Sequence, residues 1–266
     1  MKSKEALSRA MVEIAREAGA VILRHYAGTV ERRQKADRSP VTDADQEAEA
    51  LILDRLSRAA PRVPVVAEES AAAGTIPDIG RAPFFLVDPL DGTKEFLSRN
   101  GEFTVNIALI EHGLPTVGVV YAPATGRMFW GADGEAYEQH ADPGAQLIGP
   151  ARRIKTRTPP KHGLTAVASR SHRDSKTEEL LAHYKIAEFV TSGSSVKFCL
   201  IAAGEADIYP RHGPTCEWDT AAGHAVLAAA GGRVTLLDGR TPLTYGRAGD
   251  KFLNPHFIAW GRAANE

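Results

Sequence analysis

"FFLVDPLDGTKEF" spans residues 84–96 and sets Asp88 and Asp91 three positions apart behind an apolar run. Four consecutive apolar residues read as a buried strand, and Pro89, which has no N–H to donate, ends its ladder just after Asp88. The chain must then turn, which frees the Leu90 carbonyl and brings Asp91 round beside Asp88. Two carboxylates that close repel each other and shift in pKa unless a cation sits between them. Oxygen-only donors of this kind suit Mg²⁺ or a similar hard cation. Taken alone, the segment reads equally well as a turn, because Asp-Pro and Asp-Gly are ordinary turn dipeptides.

Downstream, residues 103–139, "FTVNIALIEHGLPTVGVVYAPATGRMFWGADGEAYEQ", are broken at His112-Gly113, Pro123 and Asp133-Gly134, the pattern of an antiparallel meander. Upstream, Leu7, Met11, Ile14, Ala15, Ala18, Val21 and Ile22 share one stripe of a helix from about Ser3 to Tyr26, with Gly28 as its stop. A second helix is capped by Thr42 or Asp43 and ends before Pro61. Residues 150–163, "PARRIKTRTPPKHG", are basic and Pro-rich and mark a boundary between lobes. The expected division is an α+β lobe over 1–150 and an α/β lobe over 151–266, where strands and helices alternate.

The chain has 266 residues, a formal net charge of −1 and only two cysteines, Cys199 and Cys216. That balance gives no global basic field for nucleic acid, and two cysteines make neither a disulfide framework nor a zinc motif. The basic run "ARRIKTR" has no interleaved aromatics and reads as a solvated linker. The N-terminus carries charges throughout and is neither a leader peptide nor a membrane span, so the reading is cytoplasmic.

Other acidic groups end apolar runs in the same manner. "VVAEES" supplies Glu68 and Glu69, of which one faces any shared site if both lie on a strand. "EWDTAAGH" supplies Asp219 near a helix start, where a simple N-cap is the plainer explanation, and "VTDADQ" supplies Asp43 and Asp45. Gly92 and Thr93 add backbone N–H groups and a hydroxyl.

Together "VVAEES", "DPLDGTKEF" and "WDTAAGHAVLAAAGG", in this order and with the meander strands between the last two, resemble the inositol monophosphatase superfamily over nearly the whole chain. Within it, "DGTKEF", "SRSH", "GSSVKFCLIAAGEADIYPR" and "GPTCEWDTAAGHAV" resemble the bacterial 3′(2′),5′-bisphosphate nucleotidases. The resemblance implies a layered αβαβα sandwich and two or three Mg²⁺ ions held by Glu68, Asp88, Asp91, Asp219 and the Leu90 carbonyl. It also implies that Glu68 and Thr93 orient an attacking water, that Asp45 polarises Thr93, and that the Gly92 and Thr93 amides cradle the phosphoryl group. Glu68, the first of its pair, is the ligand rather than Glu69, and Asp43 has no assigned role and reads as a surface or capping residue.

For a nucleotide with a second phosphate, the resemblance points to His172, Ser194, Lys197 and Arg211, with Arg170 a weaker candidate. A planar Arg fork and a compact Lys charge suit phosphate. Each also has a plainer explanation: Lys197 solvated on a helix, Arg211 paired with Asp207 or Glu217, His172 capping the next helix. The implied reaction removes the 3′-phosphate from adenosine 3′,5′-bisphosphate, with 3′-phosphoadenylyl sulfate as a second substrate. Inositol monophosphatase or fructose 1,6-bisphosphatase activity is the alternative, and a non-catalytic metal or nucleotide-binding module a remote one. Relatives imply lithium inhibition, a monomer or homodimer, and in some cases loose attachment to the inner membrane face.

Overall fold

The structure is a computed structural model that describes residues 3–28, 33–34, 40–142, 144–168 and 175–262. Ser3 Oγ accepts the Ala6 N–H at 3.2 Å and opens α1 (Lys4–Ala27), whose apolar stripe is buried and which closes at Gly28. A two-residue antiparallel pair, β1 (Arg33–Gln34) and β2 (Pro40–Val41), precedes α2 (Asp43–Ala59). Thr42 is the N-cap of α2, and Asp45 accepts its N–H in return, a reciprocal arrangement that settles the choice between Thr42 and Asp43.

Seven strands form the first sheet in the order of the chain: β3 (Val65–Ala67), β4 (Phe84–Asp91), β5 (Thr104–Glu111), β6 (Leu114–Ala122), β7 (Arg127–Ala132), β8 (Glu135–Ala141) and β9 (Leu147–Ile154). The meander is β5 to β8, all antiparallel, while β3 runs parallel to β4. Every residue of β4 from Phe84 to Leu90 is buried because helices cover both faces. Phe85 and Val87 pack towards α1 and α2, whereas Phe84 and Leu86 pack towards α6 (Val196–Ala202) and α7 (Glu217–Ala229).

The second sheet has the order β11 (Ile186–Thr191), β10 (Leu164–Ala168), β12 (Ile208–Arg211), β14 (Phe257–Trp260), β13 (Arg233–Leu236). Its far face packs against α5 (Ser175–Leu181) through Leu181, Ala166, Ile208 and Ile258. The layers therefore run α1/α2, seven-stranded sheet, α6/α7, five-stranded sheet, α5, the expected αβαβα sandwich. Helix α7 sits hard on the first sheet: a Cβ at Gly118 would lie 2.5 Å from the Ala222 carbonyl oxygen and 2.6 Å from the Ala225 Cβ.

Three local expectations change. Glu68 and Glu69 do not lie on a strand; β3 stops at Ala67 and they open the short helix α3 (Glu68–Ala72), so strand alternation does not choose between them. Pro89 interrupts β4 without ending it, since the ladder breaks between Asp88 and Asp91 and resumes with Asp91 opposite Thr104. The stretch read as a solvated linker begins inside β9, an edge strand whose residues from Ile148 to Arg153 are all exposed. With no face buried, no alternation marks it as a strand.

Candidate active site

The break in β4 is where the acidic groups gather. Asp88 is buried, and its Oδ1 accepts the Leu90 N–H at 3.0 Å. Gly92 follows in the left-handed region with φ 95°, and a Cβ there would lie 2.9 Å from the Glu102 carbonyl oxygen. Only glycine fits such a turn without strain. It leads into α4 (Thr93–Leu97) and turns Thr93 back onto α2, where its Oγ1 donates to Asp45 Oδ1 at 3.2 Å. Asp45 is itself held by the Thr42 hydroxyl at 2.6 Å.

Asp219 arrives from the first turn of α7, where its Oδ2 accepts the Cys216 N–H at 2.8 Å. The N-cap role and the shared site are thus compatible. Burial pushes the Asp88 carboxyl well above the usual carboxylate range, and the charges of Glu68, Asp91 and Asp219 push it further. Burial likewise raises Asp219, followed by Asp91 and Glu68. Asp91 is pushed up by burial to about 6, with Lys197 pulling the other way and Glu68 adding to the rise. Four carboxylates from β4, α3 and α7 thus lie near one another, Asp88 buried and the other three half-buried.

Their chemistry fits hard divalent cations, because every donor is oxygen and the mutual repulsion asks for positive charge. Among the described residues no three acidic, His or Cys side chains are already arranged as a closed cation cage. Asp88 and Asp219 each spend one oxygen on a backbone N–H.

The structure also places the residues expected to meet a second phosphate. Lys197 is buried on α6, not solvated; its Nζ donates to the Ser194 carbonyl and lies 5.4 Å from the centre of the Tyr209 ring. Burial pulls it down to about 8, against the opposing charge of Asp91. Ser194 has φ 43°, and its hydroxyl is buried without a hydrogen-bond partner. Arg211, at the end of β12, pairs with neither suggested acid. Asp207 is taken by Arg157 at 2.7 Å and 2.9 Å, and Glu217 accepts the Gly246 and Arg247 amides at 2.7 Å and 2.9 Å. Arg211 Nε is buried and unpartnered, and its Nη2 donates to the Pro214 carbonyl at 3.3 Å. His172 and Arg170 lie outside the described residues. Asp43 is exposed and paired with Arg33.

Glu49 was not anticipated. It is 4% exposed on α2, and its carboxylate accepts the Glu69 N–H at 2.7 Å and the Ser70 N–H at 2.8 Å, fixing the first turn of α3 that begins with Glu68. Its signal is present in the sequence: Asp45, Glu49, Ile52 and Leu56 follow helical spacing, which puts an acid in the middle of a buried stripe. Among the described residues, no helix is long and apolar enough to cross a membrane.

Residues 3–259 match the model of the inositol monophosphatase family. The chain is 46% identical over 247 residues to the 3′(2′),5′-bisphosphate nucleotidase CysQ of Escherichia coli K12, covering 92% of this chain and 96% of that protein. It is 40% identical to the CysQ of Buchnera aphidicola, over 93% of this chain and 91% of the relative. Among solved structures, CysQ from Bacteroides thetaiotaomicron superposes with a TM-score of 0.81 at 38% identity, covering 98% of each chain.

Proposed function

The chain belongs to the inositol monophosphatase family, and on that premise we propose that it is a phosphoric monoester hydrolase that removes the 3′-phosphate of adenosine 3′,5′-bisphosphate, releasing AMP and phosphate. One observation carries the chemistry: Asp88 is buried and Asp91 and Asp219 are half-buried beside it and beside Glu68, and each of the three aspartates is raised in pKa by desolvation and by its acidic neighbours. The nucleotide as substrate is supported by the 46% identity to a protein named for that reaction and by Lys197 and Arg211, two neighbouring cations of which Arg211 adds to the lowering of Lys197 that burial begins.

Glu68, Asp88, Asp91, Asp219 and the Leu90 carbonyl would hold the cations, which we take to be two or three Mg²⁺. When bound, such ions set positive charge against phosphoryl oxygens and lower the pKa of water. Thr93 donates its hydroxyl hydrogen bond to Asp45, so its oxygen lone pairs remain to accept a hydrogen bond from the attacking water and aim that water at phosphorus. Glu68 is the second acceptor for that water. The Gly92 and Thr93 amides face the phosphoryl oxygens, and Ser194, Lys197 and Arg211, with His172, receive the 5′-phosphate. Water attacks, the bond from phosphorus to the 3′-oxygen breaks, and the leaving oxygen takes up a proton. We place the enzyme in the cytoplasm, which its two cysteines, Cys199 and Cys216, neither in a disulfide, support.

Phosphate release in Mg²⁺ from adenosine 3′,5′-bisphosphate, 3′-phosphoadenylyl sulfate, inositol 1-phosphate and fructose 1,6-bisphosphate, with and without Li⁺, tests the proposal. The expected order puts the adenosine bisphosphate first in kcat/KM; a higher value for the inositol phosphate overturns the substrate, and release from none overturns the enzyme.

A further inference from the structure

Behind the carboxylates lie three polar side chains that the mechanism above does not use. Ser195 Oγ donates to Asn106 Oδ1 at 2.6 Å and lies 2.9 Å from Thr104 Oγ1. Thr104 and Asn106 are 0% exposed and Ser195 is 2% exposed. Thr104 and Asn106 belong to β5, whereas Ser195 is the residue from which α6 starts, so these bonds cross from the first sheet to the helix layer. The register sets Asn106 opposite Asp88 and Thr104 opposite Asp91. Directly opposed residues of antiparallel strands share a face.

The loop that Ser195 closes is under constraint. Ser194 sits at φ 43°, a region that non-glycine residues avoid. A Cβ on Gly193 would lie 2.7 Å from the Glu102 Cβ and 3.0 Å from the Glu102 carbonyl oxygen, so the loop is pressed against the strand connection. The Ser195 amide lies near enough to the Asp91 carboxylate to favour its charged form, Thr104 stands opposite Asp91 in the sheet, and Lys197 reaches back to the Ser194 carbonyl. A shift of this loop would therefore move contacts of both Asp91 and Lys197.

Apolar side chains would fill this space without the desolvation cost of polar ones. The rest of that face of β5 does so with Ala108 and Ile110. Asn106 even leaves its Nδ2 buried without a partner. What hydrogen bonds supply that packing does not is direction.

We propose, building on the phosphatase reading above, that Thr104, Asn106 and Ser195 are positioning residues: a buried latch from β5 to the start of α6 that holds the left-handed turn at Ser194 and keeps the Ser195 N–H and Lys197 set against Asp91 before substrate arrives. Without the latch the same groups remain, and binding must order them.

Ser195→Ala, Ser195→Thr and Asn106→Leu test this by calorimetric titration with MgCl₂ alone, by kcat and KM for adenosine 3′,5′-bisphosphate, and by thermal melting. In Ser195→Ala and Asn106→Leu the Mg²⁺ Kd and the KM should each rise about tenfold, a loss of about 1.4 kcal/mol of preorganisation. The kcat should fall far less than KM rises, and Ser195→Thr, which keeps the hydroxyl, should restore both constants. A folded Ser195→Ala whose Kd and KM match the wild type overturns the latch whatever its melting temperature, as does a Ser195→Thr no better than the alanine. If Asn106→Leu does not fold, Ser195→Ala with Thr104→Val decides. A wild type that binds Mg²⁺ but hydrolyses no nucleotide removes the substrate reading alone, because the calorimetric ratio still judges the latch.

Discussion

Asp91 illustrates how a residue can serve a site at the expense of the fold. Its carboxylate is half-buried, raised to about 6 and surrounded by Glu68, Asp88 and Asp219. Asp91→Asn removes one of the repelling charges and keeps the shape. It should abolish phosphate release, by about 10³-fold or more, while the cation-free protein melts a few degrees higher than the wild type. Phosphate assays and melting in chelator check both halves; full turnover at ordinary Mg²⁺ rejects the assignment of Asp91. At this scale the sequence was informative wherever an acid ends an apolar run, as Asp88, Asp91 and Glu68 do. For Glu49 its helical spacing marks an acid in a buried stripe but not its partners in α3, and it was silent on Asn106, which sits inside an apolar strand and makes its contact at the start of α6, far along the chain. Such partners follow from how layers stack, and that is not written in local spacing.

At the scale of elements, legibility tracks burial. Helix α1 was readable to within a residue or two because one face is buried along its whole length and Ser3 and Gly28 punctuate it. The meander was readable from its turns. Strand β9 was not, because from Ile148 to Arg153 nothing is buried. Asp219 reaches the other carboxylates only if α7 lies against β6 and β7, and Gly118 and Gly131 make that approach possible. A Cβ on Gly131 would meet the Ala229 Cβ at 2.8 Å and the Val226 Cα at 2.9 Å. Gly118→Ala should therefore cost about 1–3 kcal/mol by overpacking, read as a lower urea midpoint. Because the displaced helix carries Asp219, activity measured well below that midpoint should fall too. Unchanged stability would mean that α7 sits less tightly on the sheet than these distances state.

For the molecule as a whole, the acidic centre and the arginine-paired Glu138 pull stability in opposite directions as pH changes. Asp91 is raised from 3.8 to about 6, and Asp88 and Asp219 are raised with the same sign. Above pH 6 Asp91 is ionised in both folded and unfolded chains, and the folded state bears the repulsion. As pH falls through 6 the folded chain takes up a proton before the unfolded one does, so stability rises until about pH 4, where the unfolded carboxyls are also protonated. For Asp91 alone this is on the order of 2–3 kcal/mol. Glu138 acts the other way: burial raises it, but hydrogen bonds from Arg127, at 2.7 Å, and Arg152 outweigh that and hold it below 4.5. Arg127 also bonds Glu205, beyond α6, at 2.5 Å, so this group ties the meander to the next layer. Its contribution is present above about pH 4.5 and is lost as pH falls through the lowered value. The cation-free protein should accordingly melt highest near pH 5, below its value at neither pH 7.5 nor pH 3.5. Mg²⁺ should raise the melting temperature strongly at pH 7.5, where the carboxylates are charged, and little at pH 5, where protons already occupy them. Melting curves at the three pH values, with MgCl₂ and with chelator, give the comparison; a cation-free protein that is more stable at pH 7.5 than at pH 5, or a Mg²⁺ shift equal at both, would show that these carboxylates do not share one repelling site.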